Sequence, residues 1–252
     1  MAKILKLPAF AGDPKSPYGV EERPHKLEDF LCACSWFQLL PTLAQDRVLV
    51  DCYERSYETR SLVASRGEVA RSWVGVIDGL LKVDSQNASG RTVMFCAVPR
   101  GAWIGEGSVI KKECRRYELV ALRPTVVAHM PRATFMWLLE ISTDFSRLII
   151  DHLNERVGQF LATVELLRID LPAVRVAAAV CNLFNPVLCP NASLLLNISQ
   201  EEIGELAGLS RATTNIALKR LVELGLVSLE YGALMVLNLE ALREFGQRAA
   251  SH

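Results

Sequence analysis

Two helix-starting serines stand eleven residues apart, at Ser199 and Ser210, and that spacing constrains the fold more than any other feature of the sequence. Ser199 and Glu202 form an S-x-x-E capping box, in which each side chain satisfies a backbone N–H at the helix start. A helix therefore begins at Gln200, with Ile203, Leu206 and Ala207 as its inner face. Gly208 supplies the left-handed backbone that a tight turn requires. Ser210 then caps a second helix running from Arg211 to about Leu224. Two short helices joined by a three-residue turn containing glycine make a helix-turn-helix.

The second helix is two-faced. Thr214, Ala217, Leu218, Leu221 and Leu224 form an inner stripe, while Arg211, Ala212, Asn215 and Lys219 line the opposite side with Thr213 and Arg220 at its flanks. Arg and Asn near the start of such a helix are the residue types that reach guanine and adenine edges in the major groove. The candidate DNA-contacting set is Ser199, Gln200, Ser210, Arg211, Thr213, Asn215, Lys219 and Arg220. A solvated amphipathic helix in a protein-interaction module is the competing reading. The apolar runs at 227–230 and 234–237, split by Tyr231-Gly232, favour DNA, because a hairpin there makes the wing that grips phosphates beside this motif.

Charge sharpens this reading. Lys+Arg and Asp+Glu are 28 each, so the net charge is zero and a DNA-binding face must be small and local. No window approaches the ~18 apolar residues of a membrane span, and the N-terminus lacks the apolar core of a secretory signal. A cytoplasmic location is expected. The 7 cysteines are an odd number without C-x2-C spacing, so no metal or cluster is expected, and Cys32-x-Cys34 is the one redox candidate. His25, His129 and His152 stand isolated, and no catalytic triad, H-x-x-x-H or phosphate-binding glycine loop points to an enzyme.

Four segments follow from the pattern: an arm at 1–30, a strand-rich sensory domain at 31–142, a long helix and hinge at 143–170, and the DNA-binding domain at 171–252. In the second segment, short apolar runs at 73–77, 80–83, 92–98, 109–110, 119–122 and 126–130 alternate with turn signals such as Asp78-Gly79 and residues 87–90. That texture indicates an antiparallel roll or sandwich. A short helix is expected from Pro131, and a longer one over 143–169. In the longer one Ile150, Leu153, Val157, Phe160, Val164 and Leu167 recur at steps of three and four, which suits a two-helix seam between identical chains. Leu171-Pro172 ends it, since proline cannot continue the hydrogen-bond ladder. An apolar helix over 173–184 and a Pro/Asn-rich loop over 185–193 lead into the helix-turn-helix.

This order resembles the catabolite activator (Crp/Fnr) superfamily of bacterial transcription regulators, over roughly residues 30 to 245. The segment Gly101-Ala102-Trp103-Ile104-Gly105-Glu106-Gly107 is similar to that family's G-x-x-x-G-E phosphate-binding cassette. The resemblance implies an α+β fold: an N-terminal cyclic-nucleotide-binding-like β-roll, a long dimerisation helix and a C-terminal winged helix-turn-helix. It implies an effector site at Gly105, Glu106, Arg116 and Tyr117, with Glu106 on a ribose hydroxyl and Arg116, ten positions on, as a bidentate partner for the phosphate. Tyr117 stands where cyclic-AMP receptors have Ser, and Gln159 to Leu161 where they have Thr-Ser; the recognition helix has Ala212 and Ile216 in place of Glu and Arg. The alternative at the effector site is an internal Glu106–Arg116 ion pair. The implied function is a homodimeric, ligand-gated regulator of a palindromic operator, working with RNA polymerase and possessing a cyclic nucleotide as its candidate effector. The alternative is a nucleotide-binding or redox-sensing protein whose C-terminal domain binds other proteins.

Overall fold

The computed structural model describes residues 27–86, 92–168, 170–190 and 192–247. Most of the expected arm, His25, the turn at 87–90, Ile169 and the last five residues lie outside the described part.

Helices α1 (Leu27–Ala33), α2 (Ser35–Gln38) and α3 (Thr42–Asp51) come first, so helix starts inside the stretch read as an arm. Strands β1 (Tyr53–Tyr57), β2 (Leu62–Ala64), β3 (Ser72–Asp78), β4 (Leu80–Gln86), β5 (Thr92–Pro99) and β6 (Trp103–Ile104) follow. Then come α4 (Glu106–Lys111), β7 (Glu118–Ala121) and β8 (Thr125–Pro131). Val109-Ile110, expected in a strand, lies in α4. A two-residue apolar run carries no period, so only the left-handed Gly105 before it, at φ 100°, marks the turn into helix.

The strands form two antiparallel sheets, ordered β1-β8-β3-β6 and β2-β7-β4-β5. Strand β3 is buried on both faces, and its alternation sorts two cores. Val74 and Val76 face the other sheet and pack with Leu81, Val98, Leu119 and Val127 inside the roll. Trp73 and Ile77 face the opposite way, onto helices, with Trp36, Trp103, Phe135 and Phe145. Trp73 and Trp103 stack with centroids 4.3 Å apart. Gly75 lies across from Trp103 in the register, and a Cβ there would come within 2.7 Å of the indole. A glycine is what lets the second tryptophan lie flat on the sheet.

Helix α5 (Arg132–Ile141) leads to α6 (Thr143–Leu166), whose start is capped by Ser142 Oγ accepting from Phe145 N. One side of α6 enters the aromatic core through Phe145 and Ile149, with Leu153 half-buried against it. Ile150, Val157, Phe160, Val164 and Leu167, with Leu161 beside them, remain exposed.

The C-terminal part contains α7 (Pro172–Cys181), a 3-10 turn at Asn182–Phe184, β9 (Leu195–Leu196), α8 (Gln200–Ala207), α9 (Arg211–Glu223), β10 (Val227–Glu230), β11 (Ala233–Val236) and α10 (Leu239–Gln247). The hairpin expected after α9 is present, extended by β9 into a three-stranded sheet. Its core also takes in Leu80, Met94 and Ala97 of the roll. Among the described residues, two ion pairs cross between these parts: Arg123–Glu202 at 3.1 Å and Lys82–Glu205 at 3.8 Å, both reaching α8.

Candidate functional site

The capping box at Ser199 is formed in full: Glu202 N donates to Ser199 Oγ at 3.2 Å and Ser199 N donates to Glu202 Oε2 at 2.7 Å. Gly208 ends α8 in the left-handed conformation, and the cap on α9 is Thr213 N donating to Ser210 Oγ at 3.2 Å. The two helices meet where Gly204 faces Thr214, whose Oγ1 would lie 2.7 Å from a Cβ at that glycine. Thr214 Oγ1 donates to Ser210 O at 2.9 Å, which satisfies the one polar side chain on the inner stripe. A two-helix unit with these fixed ends is rigid enough to carry a reading surface.

The outer surface of α9 differs from the sequence reading in one respect. Arg211, Ala212, Ile216, Lys219 and Arg220 are exposed, whereas Asn215 is half-buried and its Oδ1 lies buried without a hydrogen-bond partner. Residue 215 sits ~100° from the buried Thr214 on a 3.6-residue helix, so it turns partly toward the body rather than outward. Gln200 is exposed at the start of α8, next to half-buried Ser199. Arg220 pairs with Glu223 at 3.2 Å, while among the described residues Arg211 and Lys219 have no ion-pair partner.

The second candidate site lies at the cassette. Glu106 is 1% exposed at the first turn of α4. Its carboxylate is held by Arg156 of α6, whose Nε donates to Oε1 at 2.5 Å, and by Trp73 Nε1, which donates to Oε2 at 3.3 Å. Arg156 Nη2 also donates to Trp103 O at 2.5 Å. Burial alone would push the Glu106 carboxyl up, but the Arg156 charge, a backbone hydrogen bond and the hydrogen bond from Arg156 outweigh it and hold it below the usual carboxylate range.

The expected partner, Arg116, is not there. It is 80% exposed and lies 3.7 Å from Glu113. This corrects the internal-pair reading: Glu106 is paired with Arg156 and not with Arg116. The chain bends at Arg116 and Tyr117, between the bridge at Cys114 and β7, and this leaves Arg115 buried, Arg116 exposed and Tyr117 half-buried. Arg115 is 4% exposed and donates from Nη2 to Ser72 O at 2.8 Å, while Nη1 is buried without a partner. Gly105 belongs to the same site, since a Cβ on it would fall 2.5 Å from Arg115 Nη1.

Beside the cassette lies a cavity of about 60 Å³ lined by Cys96, Val98 and Ala102 of the roll, Arg156 and Gln159 of α6, and Leu188 and Cys189 from the loop after α7. Leu188 and Cys189 are buried in the core of the roll, not in that of the helix-turn-helix domain. The loop is braced: Val187 N and Leu188 N both donate to Asn185 Oδ1 at 2.9 Å, and Asn185 Nδ2 donates to Glu155 Oε2 at 2.9 Å. This plug is not legible in the sequence, because a Pro/Asn loop carries no periodicity. Arg156 was equally hidden, as a polar residue between seam positions reads as solvated; only its partner fifty residues away reveals it.

The remaining titratable groups do not suggest chemistry of their own. His129, between Ser72 Oγ and Tyr57 OH, is pushed down to about 4 chiefly by burial. All seven cysteines are free thiols. Burial pushes Cys34, Cys96 and Cys181 up to about 11, and Cys52 and Cys189 up to about 12, away from the thiolate form that redox sensing uses.

Known proteins are similar to this chain in domain family and fold. The cyclic nucleotide-binding domain family matches residues 54–142, and the Crp-like helix-turn-helix domain family matches residues 174–245. The chain is 24% identical over 195 residues to the cAMP-activated global transcriptional regulator CRP of Pasteurella multocida, covering 75% of this chain and 90% of that one. Among solved structures, FixK2 from Bradyrhizobium japonicum aligns with a TM-score of 0.65 at 17% identity, covering 77% of this chain and 96% of that one. The c-di-GMP responsive global regulator CLP of Xanthomonas campestris aligns with a TM-score of 0.57 at 22% identity, covering 79% of this chain and all of the other.

Replacing Arg156 by Ala leaves a buried carboxylate unpaired and should cost about 3–5 kcal/mol at pH 7. In the wild type the pair's contribution is present above pH ~4.5 and fades as pH falls through the lowered pKa of folded Glu106. In the variant, burial now dominates and raises that pKa, so acid relieves the strain by protonating the carboxyl. Urea midpoints should show the gap between the two proteins narrowing from pH 7 to pH 5. A loss under about 1 kcal/mol, or a gap insensitive to pH, would contradict the assignment of this pair.

Proposed function

Since the chain belongs to the Crp/Fnr superfamily of transcription regulators, we propose that it works as a homodimer that reads a palindromic operator with α9 under the control of a small effector taken up by the β-roll. The observation that carries the reading is the outer face of α9, where exposed Arg211 and Lys219 have no ion-pair partner among the described residues, on a domain of the Crp-like type. The stripe Ile150, Val157, Phe160, Val164 and Leu167, exposed along α6, supports pairing with a second copy in a parallel seam, with Leu153 at its inner edge. RNA polymerase is the further partner, and a place in the cytoplasm follows from a genomic target. No described helix is long and apolar enough to cross a membrane.

The side chains around the cassette suit an anion and single out no particular nucleotide. Arg115 holds a buried, unpartnered N–H beside Gly105, which suits a phosphate oxygen. Glu106 is already satisfied by Arg156 and Trp73, so a ribose hydroxyl would have to share or displace that pair. A cyclic nucleotide, the effector that the Pasteurella relative's name implies for that protein, is far larger than the cavity beside the cassette. Its entry would expel Leu188 and Cys189. Release of this loop, which belongs to the DNA-binding half, is the route by which an effector would reset the position of α9. That is a shift between two packed states driven by differential binding.

The DNA reading is tested by two substitutions that fail differently. Arg211→Ala should lower affinity for a selected operator and flatten the preference at one symmetric base pair, worth about 1–3 kcal/mol of discrimination. Lys219→Ala should weaken specific and nonspecific duplexes alike and reduce the salt slope by ~1 per subunit, as a phosphate contact does. An Arg211→Ala protein with unchanged base preference would sink the assignment of α9 as the reader.

The plug has its own test in calorimetric titration with cyclic AMP. Truncating Leu188 to Ala removes packing of about 2–3 kcal/mol from the closed state, so the variant should bind the nucleotide at least about tenfold tighter than wild type. Equal affinity in the two proteins would show that the loop and the nucleotide do not compete.

A further inference from the structure

Ile216 is 70% exposed on α9, opposite the buried stripe of Thr214, Ala217, Leu218 and Leu221. An isolated exposed aliphatic residue is ordinary and by itself says nothing. Its surroundings say more. Ala212 lies one turn before it on the same exposed face, and Arg211, Lys219 and Arg220 flank the pair. The middle of an otherwise basic surface is therefore apolar, at the point where a helix laid in the major groove comes nearest the bases. Asn215, the polar residue that could have supplied a hydrogen bond there, is half-buried with its amide oxygen turned inward.

Among the groups on the floor of that groove, the C5-methyl of thymine is the one that an aliphatic side chain can recognise. Accepting the reading of α9 as the DNA-contacting helix, we propose that Ile216, supported by Ala212, determines specificity by packing against a thymine methyl in each half-site. Position 216 lies five residues beyond Arg211, ~7.5 Å along the axis at 1.5 Å per residue. At ~3.4 Å per base step, the thymine falls about two base pairs from the guanine that Arg211 addresses. Arginine fixes one base by hydrogen bonds, and isoleucine fixes the other by shape and loss of water.

The experiment removes the methyl and nothing else. In an operator enriched from random duplexes, each thymidine is replaced in turn by deoxyuridine, which keeps every hydrogen-bonding group. For wild type, one symmetric position should weaken binding about fourfold per half-site, the worth of a single buried methyl, and about fifteenfold when both half-sites carry uracil. Ile216→Ala should bind thymine and uracil operators within about twofold of each other, and Ile216→Val should restore most of the discrimination. Because the side chain is exposed, circular dichroism and the unfolding midpoint should match wild type in both variants. Uracil tolerated at every position by wild type, or a uracil penalty undiminished in Ile216→Ala, would overturn the proposal while leaving the DNA-binding reading intact. Failure to enrich any sequence would overturn both.

Discussion

Burying a carboxylate costs several kcal/mol unless a charge and hydrogen bonds offset it, and Glu106 is buried at the junction of the roll and the long helix. Arg156 meets that cost, and in doing so it fixes where α6 crosses the cassette. Trp73, the other donor to Glu106, belongs to the aromatic core that also holds Phe145 at the start of α6. The two attachments act together. One is polar and specific in direction; the other is apolar and contributes most of the area. With the inner side of α6 so committed, its exposed aliphatic stripe faces the other way, available to a second chain.

The same junction reaches the DNA-binding half. Leu188 and Cys189 end in the core of the roll, while Leu80, Met94 and Ala97 of the roll end in the core of the helix-turn-helix domain. Each half contributes side chains to the other's interior. The ion pairs from Arg123 and Lys82 to α8 add orientation: Arg123 and Glu202 are largely buried, whereas Glu205 is exposed and its longer pair with Lys82 contributes little stability. Packed interfaces of this kind switch between discrete arrangements rather than deforming smoothly. Under the proposed function, the loop carrying Leu188 and Cys189 would hold one such arrangement, and an effector would have to compete with those two side chains.

What could be read in advance was whatever the chain encodes locally. The caps at Ser199, Glu202 and Ser210 and the turn at Gly208 determine their own neighbourhood, so the helix-turn-helix was legible almost to the residue. The long helix was legible through its repeat, and most strands through short apolar runs. Features decided by distant partners were not. Whether Arg115 or Arg116 is buried is decided by a bend between Cys114 and β7 that the local sequence does not mark, so the residue ten positions from Glu106 lies outside while its neighbour enters. Arg156 and Leu188 acquire meaning only from contacts with the roll. Ile216 was visible only as a departure from the family's arginine, and its exposure had to come from the structure.

The central claim is that two copies of α9, held by a pair of long helices, read DNA together. Selection of bound sequences from a random duplex library by the full-length protein, with and without cyclic AMP, tests it most directly. The account predicts an inverted repeat whose half-site centres lie about one helical turn, ~34 Å or roughly ten base pairs, apart. No enrichment under either condition, or a single half-site without its inverted partner, would contradict it.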